Sequence, residues 1–402
     1  MAPPIRLLTF TTLYPNAARP NHGVFVENRL RHLVGSGAVA ATVLAPVPIF
    51  PLPGFPGRDP GPVPAAESRH GLAVHHPRFL AIPKLGMALS PALLAAAASR
   101  VIRRLLAAGE RFDAIDAHYF FPDGVAAVAL GRRFGLPVVV TARGSDITQF
   151  PDFAIPRRLI RRALARADAA IAVSAALREA MLALGARPAH VSVLRNGVDT
   201  ALFRPPPDRA AARAGFGLAR PTLLSVGHLI ERKGHDRVIE AMRLLPDCDL
   251  LIAGEGPERA PLEALISRLD LGARVRLLGA LPHAELPALY GAADLLVLAS
   301  SREGWANVLL EAMACGTPVV AAPIPGNSEV VQERAAGVIA GAREPEALAA
   351  AARDLLADPP GRAATRAYAE RFGWQETTDG QIALFRRVIA AKARGSAPCS
   401  AG

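Results

Sequence analysis

Lysine is nearly missing from this 402-residue chain: Lys84, Lys233 and Lys392 are the only three among 46 basic residues, the rest being arginine. A lysine at any one position is therefore not a default choice. Cysteine is as scarce, with Cys248, Cys315 and Cys399 far apart in sequence. That spacing excludes a disulfide framework, a zinc site and a Cys-x-x-Cys redox pair, and a reducing cytoplasm is the simplest compartment. Aromatic residues make up 5% of the chain, and its arginines are not interleaved with them. With no groove-reading motif either, a nucleic-acid partner is not expected. Long apolar runs are also missing. The longest weakly polar stretch, Leu85 to Ser99, is interrupted by Pro91 and falls short of the roughly 20 residues a spanning helix needs. The chain opens Met1-Ala-Pro-Pro-Ile-Arg and goes directly into a strand-like Ile5 to Phe10, without an apolar stretch and cleavage site. The expectation is a cytoplasmic protein with no segment crossing a membrane.

What is present is an ordinary globular composition, 51% hydrophobic and 20% charged, in a chain too long for one core. Its net charge of +11 is lopsided. Residues 1–200 carry 23 Lys+Arg against 12 Asp+Glu, and residues 201–402 carry 23 against 23. The excess points to an anionic partner for the first half alone. Its densest cluster is Arg157, Arg158, Arg161, Arg162 and Arg166, most of which fall on one face of a helix with Leu159, Ile160, Ala163 and Leu164 as the apolar remainder. Two readings stay open: a helix lying on an anionic membrane, or an amphipathic helix with its basic face in water.

Short apolar runs alternate with helical patterns throughout, which predicts an α/β protein of parallel sheets built from βαβ units. Expected strands in the first half are Ile5–Phe10, Val39–Ala45, Leu72–His75, Ala114–Ala117, Val138–Ala142, Ala169–Val173 and Val191–Leu194. Those in the second are Thr222–Val226, Asp249–Ala253, Val275–Leu278, Leu295–Ala299 and Val319–Ala321. The segment Arg195 to Pro207, with Asn196-Gly197 and three consecutive prolines, reads as a turn and a stiff connector. Domains are therefore expected at 1–200 and 201–372, followed by a helix and tail at 373–402. Pro46 to Pro64 reads as an extended, proline-rich excursion, either a flap facing acceptor or membrane or a loop without function.

The most informative stretch is Ser301-Arg-Glu303-Gly304-Trp305-Ala306-Asn307-Val308-Leu309-Leu310-Glu311-Ala-Met-Ala-Cys315-Gly316-Thr-Pro318-Val-Val. An unbroken apolar strand precedes it, Asn307 is placed to cap a helix ending at Gly316, and Pro318 follows. Glu303 then lies at a strand's carboxyl end, and Glu311 one turn inside the helix. Strand ends and helix amino ends attract anions through free N–H groups, and a phosphate would fit over Asn307, Val308 and Leu309. A carboxylate is acceptor-only and takes neighbouring hydroxyls. Two carboxylates around an anion hole suggest a sugar on one side and a ribose on the other. Alone, the same pattern also describes a solvated loop and a surface helix.

This block resembles the Glu-x7-Glu signature of family 4 of the retaining nucleotide-sugar glycosyltransferases, covering strand, loop, both glutamates and helix exit. The resemblance implies the GT-B fold: two Rossmann-like domains facing a cleft, with a C-terminal helix crossing back to the first. It implies that Glu303 binds the moving sugar and Glu311 the nucleotide ribose. Trp305-Ala306 stand where many members have Phe-Gly, so the shape of the sugar pocket is not carried over. The segment Gly227-His228 to Arg232-Lys233-Gly234 resembles the family's Arg-Lys-Gly motif, whose basic pair holds the donor diphosphate. Gly23 resembles a glycine of the first loop. Asp116-Ala-His118 carries a histidine like one that touches the donor sugar, and the chemistry is accordingly assigned to Glu303 and His118. Arg143, followed by Gly144 and Asp146, replaces a histidine found in many members; Arg143 and Asp146 are read as acceptor-binding.

Two further motifs are set aside. Gly254-Glu-Gly256 resembles a dinucleotide fingerprint, but Arg259 replaces its third glycine. Asp247-Cys-Asp249 has a metal-binding form but precedes a strand, away from the ligand side. No metal and no cofactor are expected, because Arg232, Lys233 and helix amino ends can neutralise the diphosphate. The expected activity is transfer of a hexosyl unit from a nucleotide sugar to a saccharide or lipid-linked acceptor, without metal, in surface-polysaccharide or glycolipid synthesis. Such acceptors favour the membrane reading of the arginine cluster, on the cytoplasmic face of the inner membrane. The alternative is another nucleotide-sugar enzyme on two Rossmann-like domains, such as an epimerase or a dehydrogenase.

Overall fold

The computed structural model describes residues 3–50, 63–81 and 86–396. Most of the proline-rich excursion, residues 51–62, lies outside the described residues, as do Lys84, Leu85 and Cys399. The chain divides into two compact units, Met1–Arg195 with Gln375–Gly402, and Asn196–Trp374.

The first unit contains β1 (Ile5–Phe10), β2 (Val39–Leu44), β3 (Val47–Ile49), β4 (Ala66–Arg69), β5 (Leu72–His75), β6 (Arg78–Leu80), β7 (Ala114–His118), β8 (Val138–Ala142), β9 (Ala169–Ala172) and β10 (Val191–Val193). Eight of them form one sheet in the order β10-β9-β8-β7-β1-β2-β5-β4. Neighbours are parallel except β4 against β5. Every residue of β7, β8 and β9 is buried, as unbroken apolar strands between two helical layers must be. The order reverses between β1 and β7, the topological switch of this sheet. The final helix, Gln375–Ser396, belongs to this unit: Ile382, Leu384, Phe385 and Val388 pack with Leu7, Val26, Leu30 and Leu33 in its core.

The second unit holds β11 (Thr222–Val226), β12 (Asp249–Ala253), β13 (Val275–Gly279), β14 (Leu295–Leu298), β15 (Val319–Ala321) and β16 (Gly337–Ile339). Their order is β13-β12-β11-β14-β15-β16, all parallel, with the switch between β11 and β14. The architecture is thus two parallel-sheet α/β domains. The connector after Asn196 is packed onto this unit rather than free: Arg366 donates to the carbonyls of Thr200 (3.1 Å) and Phe203 (3.0 Å), and Val198 N–H to that of Phe372 (2.9 Å).

Four strands escaped the sequence reading. The first residues of the proline-rich stretch are not irregular: β3 pairs in parallel with β6. β4 reads Ala-Glu-Ser-Arg, with no apolar alternation, and is held as an edge strand by a hairpin at His70-Gly71. Both residues there have positive φ (50° and 77°), the signature of a tight primed turn. β16 has three residues and begins at Gly337, where a Cβ would meet the Val319 carbonyl oxygen at 2.0 Å.

Candidate active site

In the second unit, β11 ends at Val226 and the chain turns through Gly227 into a short turn, Glu231–Lys233, before the helix His235–Ala241. Gly227 has φ 152°, a backbone conformation that favours glycine, and the Lys233 side chain lies against it over the strand end. Lys233 Nζ donates to Glu303 Oε1 at 2.6 Å, and Arg232 Nη1 approaches Oε2 at 3.5 Å while donating to the Arg302 carbonyl at 2.7 Å. Burial alone would raise the Glu303 carboxyl; Lys233 and Arg232 outweigh it and hold it below the usual carboxylate range. The two motifs singled out in the sequence therefore form one charged cluster at the switch point of this sheet.

Its supports were less visible. The glycine pair set aside as a dinucleotide look-alike has a structural task, since a Cβ on Gly254 would meet the Gly227 carbonyl oxygen at 1.9 Å and one on Gly256 that of Leu229 at 2.3 Å. The loops after β11 and β12 can pack backbone to backbone only because both are glycine. Gly326 does the same for Glu303, where a Cβ would lie 2.6 Å from the Glu303 carbonyl oxygen. Buried His235 braces the loop between Ser225 Oγ (2.9 Å) and the His228 carbonyl (3.3 Å), and burial pulls its pKa down to about 4.

The helix carrying the second glutamate spans Asn307–Ala314, and Ala306 occupies its cap without a side-chain hydrogen bond. The expected cap, Asn307, is instead the first helical residue, and its Oδ1 accepts from Asn196 at 3.2 Å. Asn307 and Leu309 N–H donate to the carbonyls of Trp305 (3.2 Å) and Ala306 (3.1 Å), so the turn occupies two of the three N–H groups expected to face an anion. Gly304 is buried in the loop. Trp305 is buried as well, its ring centred 6.2 Å from that of Phe372, which makes it a prop beneath the loop. Glu311 accepts from the Tyr290 hydroxyl at 2.9 Å, and its other oxygen lies 3.7 Å from His283 Nε2.

In the first unit, His118 closes β7 and is 1% exposed. Arg143 Nη2 lies 2.8 Å from its Nδ1. A guanidinium only donates, so Nδ1 is the acceptor and the ring proton sits on Nε2, 3.2 Å from Asp116 Oδ2. Burial lowers the imidazole pKa against the pull of Asp116, with Arg143 adding to the lowering; the ring is neutral. Both ring nitrogens of His118, the residue assigned to sugar contact by resemblance, are thus turned towards Arg143 and Asp116. Arg143 is half-buried, and desolvation pushes its pKa down to about 10. Asp146 is fully buried and its carboxylate accepts backbone N–H groups from Phe120 (2.7 Å), Arg143 (3.0 Å) and Gly144 (2.7 Å). It shapes the loop after β8 and presents no open oxygen to an acceptor. Gly23 precedes the helix Val24–Gly35 with φ 75°, and a Cβ there would strike the Leu13 carbonyl carbon at 2.3 Å.

Two parallel-sheet domains, one carrying a basic pair and a glutamate at its switch point, define a glycosyl-transferring enzyme of GT-B architecture. The profile described as "Glycosyl transferases group 1" matches residues 208–372, and that of "Glycosyltransferase Family 4" residues 30–202. The D-inositol 3-phosphate glycosyltransferase 1 of Catenulispora acidiphila is 33% identical over 313 residues, 71% of this chain and 74% of its own. The D-inositol 3-phosphate glycosyltransferase of Mycobacterium tuberculosis is 33% identical over 301 residues, 69% of this chain and 62% of its own length. The chain belongs to the family 4 glycosyltransferases. Among solved structures, sucrose-phosphate synthase from Thermosynechococcus elongatus superposes with a TM-score of 0.81 at 22% identity, covering 96% of this chain and 100% of that one. Anabaena HepE in complex with UDP-glucose gives 0.73 at 24% identity over 94% and 98%. At these identities the structures speak for the fold.

Proposed function

We propose that this glycosyltransferase moves a hexosyl unit from a nucleotide sugar to a saccharide or lipid-linked acceptor with retention of configuration, in surface-polysaccharide or glycolipid synthesis. The observation that carries the donor half is the Lys233–Glu303–Arg232 cluster at the switch point of the second sheet. It supplies, at one strand end, cations for a diphosphate and an acceptor for sugar hydroxyls. The nucleotide sugar bound by Anabaena HepE and the named activity of the Catenulispora relative support the same reading.

In this scheme Arg232, Lys233 and the helix start at Val308 hold the diphosphate, the Asn307 and Leu309 N–H groups being used by the turn, and no metal is required. Gly23, Gly227 and Gly304 give the backbone room to approach the donor. Glu303 holds the sugar and Glu311 the ribose. The acceptor oxygen bonds to the anomeric carbon on the face the phosphate leaves. The carbon–phosphate oxygen bond breaks, and the acceptor proton passes to a departing phosphate oxygen. His118 reaches the sugar only if its contacts with Arg143 and Asp116 open; Arg143 serves the acceptor side by holding that ring, and Asp146 by holding Arg143's backbone. No described helix is long and apolar enough to cross a membrane. The first unit instead acts peripherally on an anionic bilayer, the cytoplasmic face of an inner membrane. This is supported by the water-facing arginines of the helix Ala154–Arg166 beside Phe153 and Ile155, 48% and 53% exposed.

A panel of UDP-, GDP- and ADP-sugars in a thermal-shift assay tests the donor reading. One of them should raise the melting temperature, with the shift lost in Glu311→Ala and Lys233→Ala. A wild-type protein that binds none, or variants that bind as well as it does, would reject the assignment. The product's anomeric configuration, read by NMR, decides retention.

A further inference from the structure

Glu311 is not left to find its ligand unaided. Tyr290, on the helix Leu286–Ala292, is fully buried, and its hydroxyl donates to Glu311 Oε2 at 2.9 Å. The tyrosine is fixed at its other end too, because Thr317 Oγ1 donates to its backbone carbonyl at 2.6 Å. Buried Phe203 backs this arrangement, its ring centred 6.0 Å from Tyr290 and 5.1 Å, edge on, from His283. His283 Nε2 then lies 3.7 Å from Glu311 Oε1.

A glutamate side chain has three torsions, and one on a helix surface samples several rotamers. Here the Glu311 side chain is only 14% exposed, and one of its oxygens is already bonded to a rigid phenol. Burial first, then the neighbouring carboxylate, pushes the Tyr290 phenol pKa well upward, so the phenol keeps its proton and keeps donating. The carboxylate plane is therefore set before any ligand arrives, and Oε1, beside the His283 edge, is the oxygen left to face a hydroxyl. Holding one acceptor at a fixed angle discriminates between a ligand with a hydroxyl there and one without, because the unmatched carboxylate must give up solvent for nothing.

Resting on the assignment of Glu311 to the nucleotide ribose, we propose that Tyr290 is the positioning residue that aims Glu311 and so sets the preference for ribose over deoxyribose. Tyr290→Phe keeps the ring and removes only the hydroxyl. The probe is whichever of UDP, GDP and ADP shifts the wild-type melting temperature, alongside its 2′-deoxy and 3′-deoxy forms, with affinities measured by calorimetry. The wild type should prefer the ribonucleotide. Tyr290→Phe should cut that preference about three- to tenfold, the range for one ordinary net hydrogen bond, while affinity for the deoxynucleotide stays the same. In a Glu311→Ala background the tyrosine substitution should change nothing further. A Tyr290→Phe protein with the full ribose preference, or one that loses ribo- and deoxynucleotide equally, overturns the positioning role. A wild type indifferent to the ribose hydroxyls overturns instead the ribose assignment on which it rests.

Discussion

The two units bring charged side chains to corresponding places, the carboxyl ends of the strands around each switch point, and treat them in opposite ways. In the second unit Glu303 is 10% exposed, Lys233 14% and Arg232 32%, in ion pairs whose members can exchange one another for a ligand. In the first, Asp116, His118, Asp123 and Asp146 are essentially sealed. Burial raises the Asp123 carboxyl to about 8 despite its hydrogen bond from Thr12 (2.9 Å). Partly exposed pairs can be rearranged more readily than sealed ones, which are costly to disturb. The comparison predicts that damage in the first unit appears as lost folding and damage in the second as lost activity.

The largest expected effect is at Gly23. Alanine there must adopt a left-handed φ and push a methyl into the Leu13 carbonyl, two penalties that together come to about 4 kcal/mol. Urea unfolding of Gly23→Ala should show that loss. A variant as stable as the wild type would mean that the loop before the first helix can move aside.

The second prediction uses the one buried imidazole of the second unit whose shift is large. The His235 pKa of about 4 lies below the ordinary 6.5, so protonation favours the unfolded chain. Its stabilisation is complete above pH 6.5 and is lost as pH falls towards about 4. A displacement of this size corresponds to about 3 kcal/mol. Between pH 7.5 and 4, wild type should lose about that much more stability than His235→Asn. His118 is shifted in the same direction, so acid weakens the first unit with the same sign.

What the sequence revealed follows the same division. Strands buried almost throughout were legible because no charge breaks their apolar runs: Val138–Ala142, Thr222–Val226, Asp249–Ala253 and Val319–Ala321 have the bounds those runs suggest, as do Ile5–Phe10 and the alternating Leu72–His75. Ala66–Arg69 was not legible, because an edge strand needs no apolar face. Glu303, Glu311, Arg232 and Lys233 could be found because charge beside an apolar strand is conspicuous, and the fold they implied is the one observed. The structural task of Gly254 and Gly256 was not legible because the carbonyls they accommodate are about 27 residues away in sequence, Gly227 and Leu229. His235 gave no signal at all. A histidine after a glycine looks the same whether it faces water or Ser225. The engagement of His118 by Arg143 joins residues 25 positions apart, and only the pairing of β7 with β8 brings them together.

A third prediction sharpens the contrast from the second unit's side. Glu303→Gln keeps shape but removes the charge that Lys233 and Arg232 face. If Glu303 holds the sugar as proposed, loss of charge-assisted hydrogen bonds to it should lower kcat/KM about 30-fold, equivalent to roughly 2 kcal/mol. Stability near neutral pH should fall by no more than the contribution of that pair, which the wild type itself loses in acid. Because the Glu303 pKa is held below the carboxylate range, the wild-type pair contributes its stability above that range and loses it as pH falls through the lowered value. The glutamine variant should lack that final acid step. A variant that unfolds at neutral pH would mean that Glu303 is a structural ion pair like those of the first unit.

The smallest effect on stability is expected on the helix Ala154–Arg166, where the first unit clusters arginines in water. Arg157, Arg158, Arg161 and Arg162 line a groove of about 470 Å³ closed by Leu184 and Gly185, and Phe153 and Ile155 stand exposed at the start of the same helix. The helix buries Pro156, Ile160, Ala163 and Leu164 on its other side, so the exposed apolar pair is not needed for packing. Phe153→Ser should therefore change the unfolding free energy by less than about 0.5 kcal/mol. On an anionic bilayer each arginine near the surface contributes about 1 kcal/mol, and a phenyl ring entering the interface adds its buried area to that attraction. Flotation with phosphatidylglycerol-rich vesicles should recover the wild type. Phe153→Ser should be recovered less, Arg158→Glu with Arg162→Glu still less, and neutral vesicles should recover none. Equal recovery of all three proteins on anionic vesicles would show the arginines to be a solvated face with no part in membrane binding.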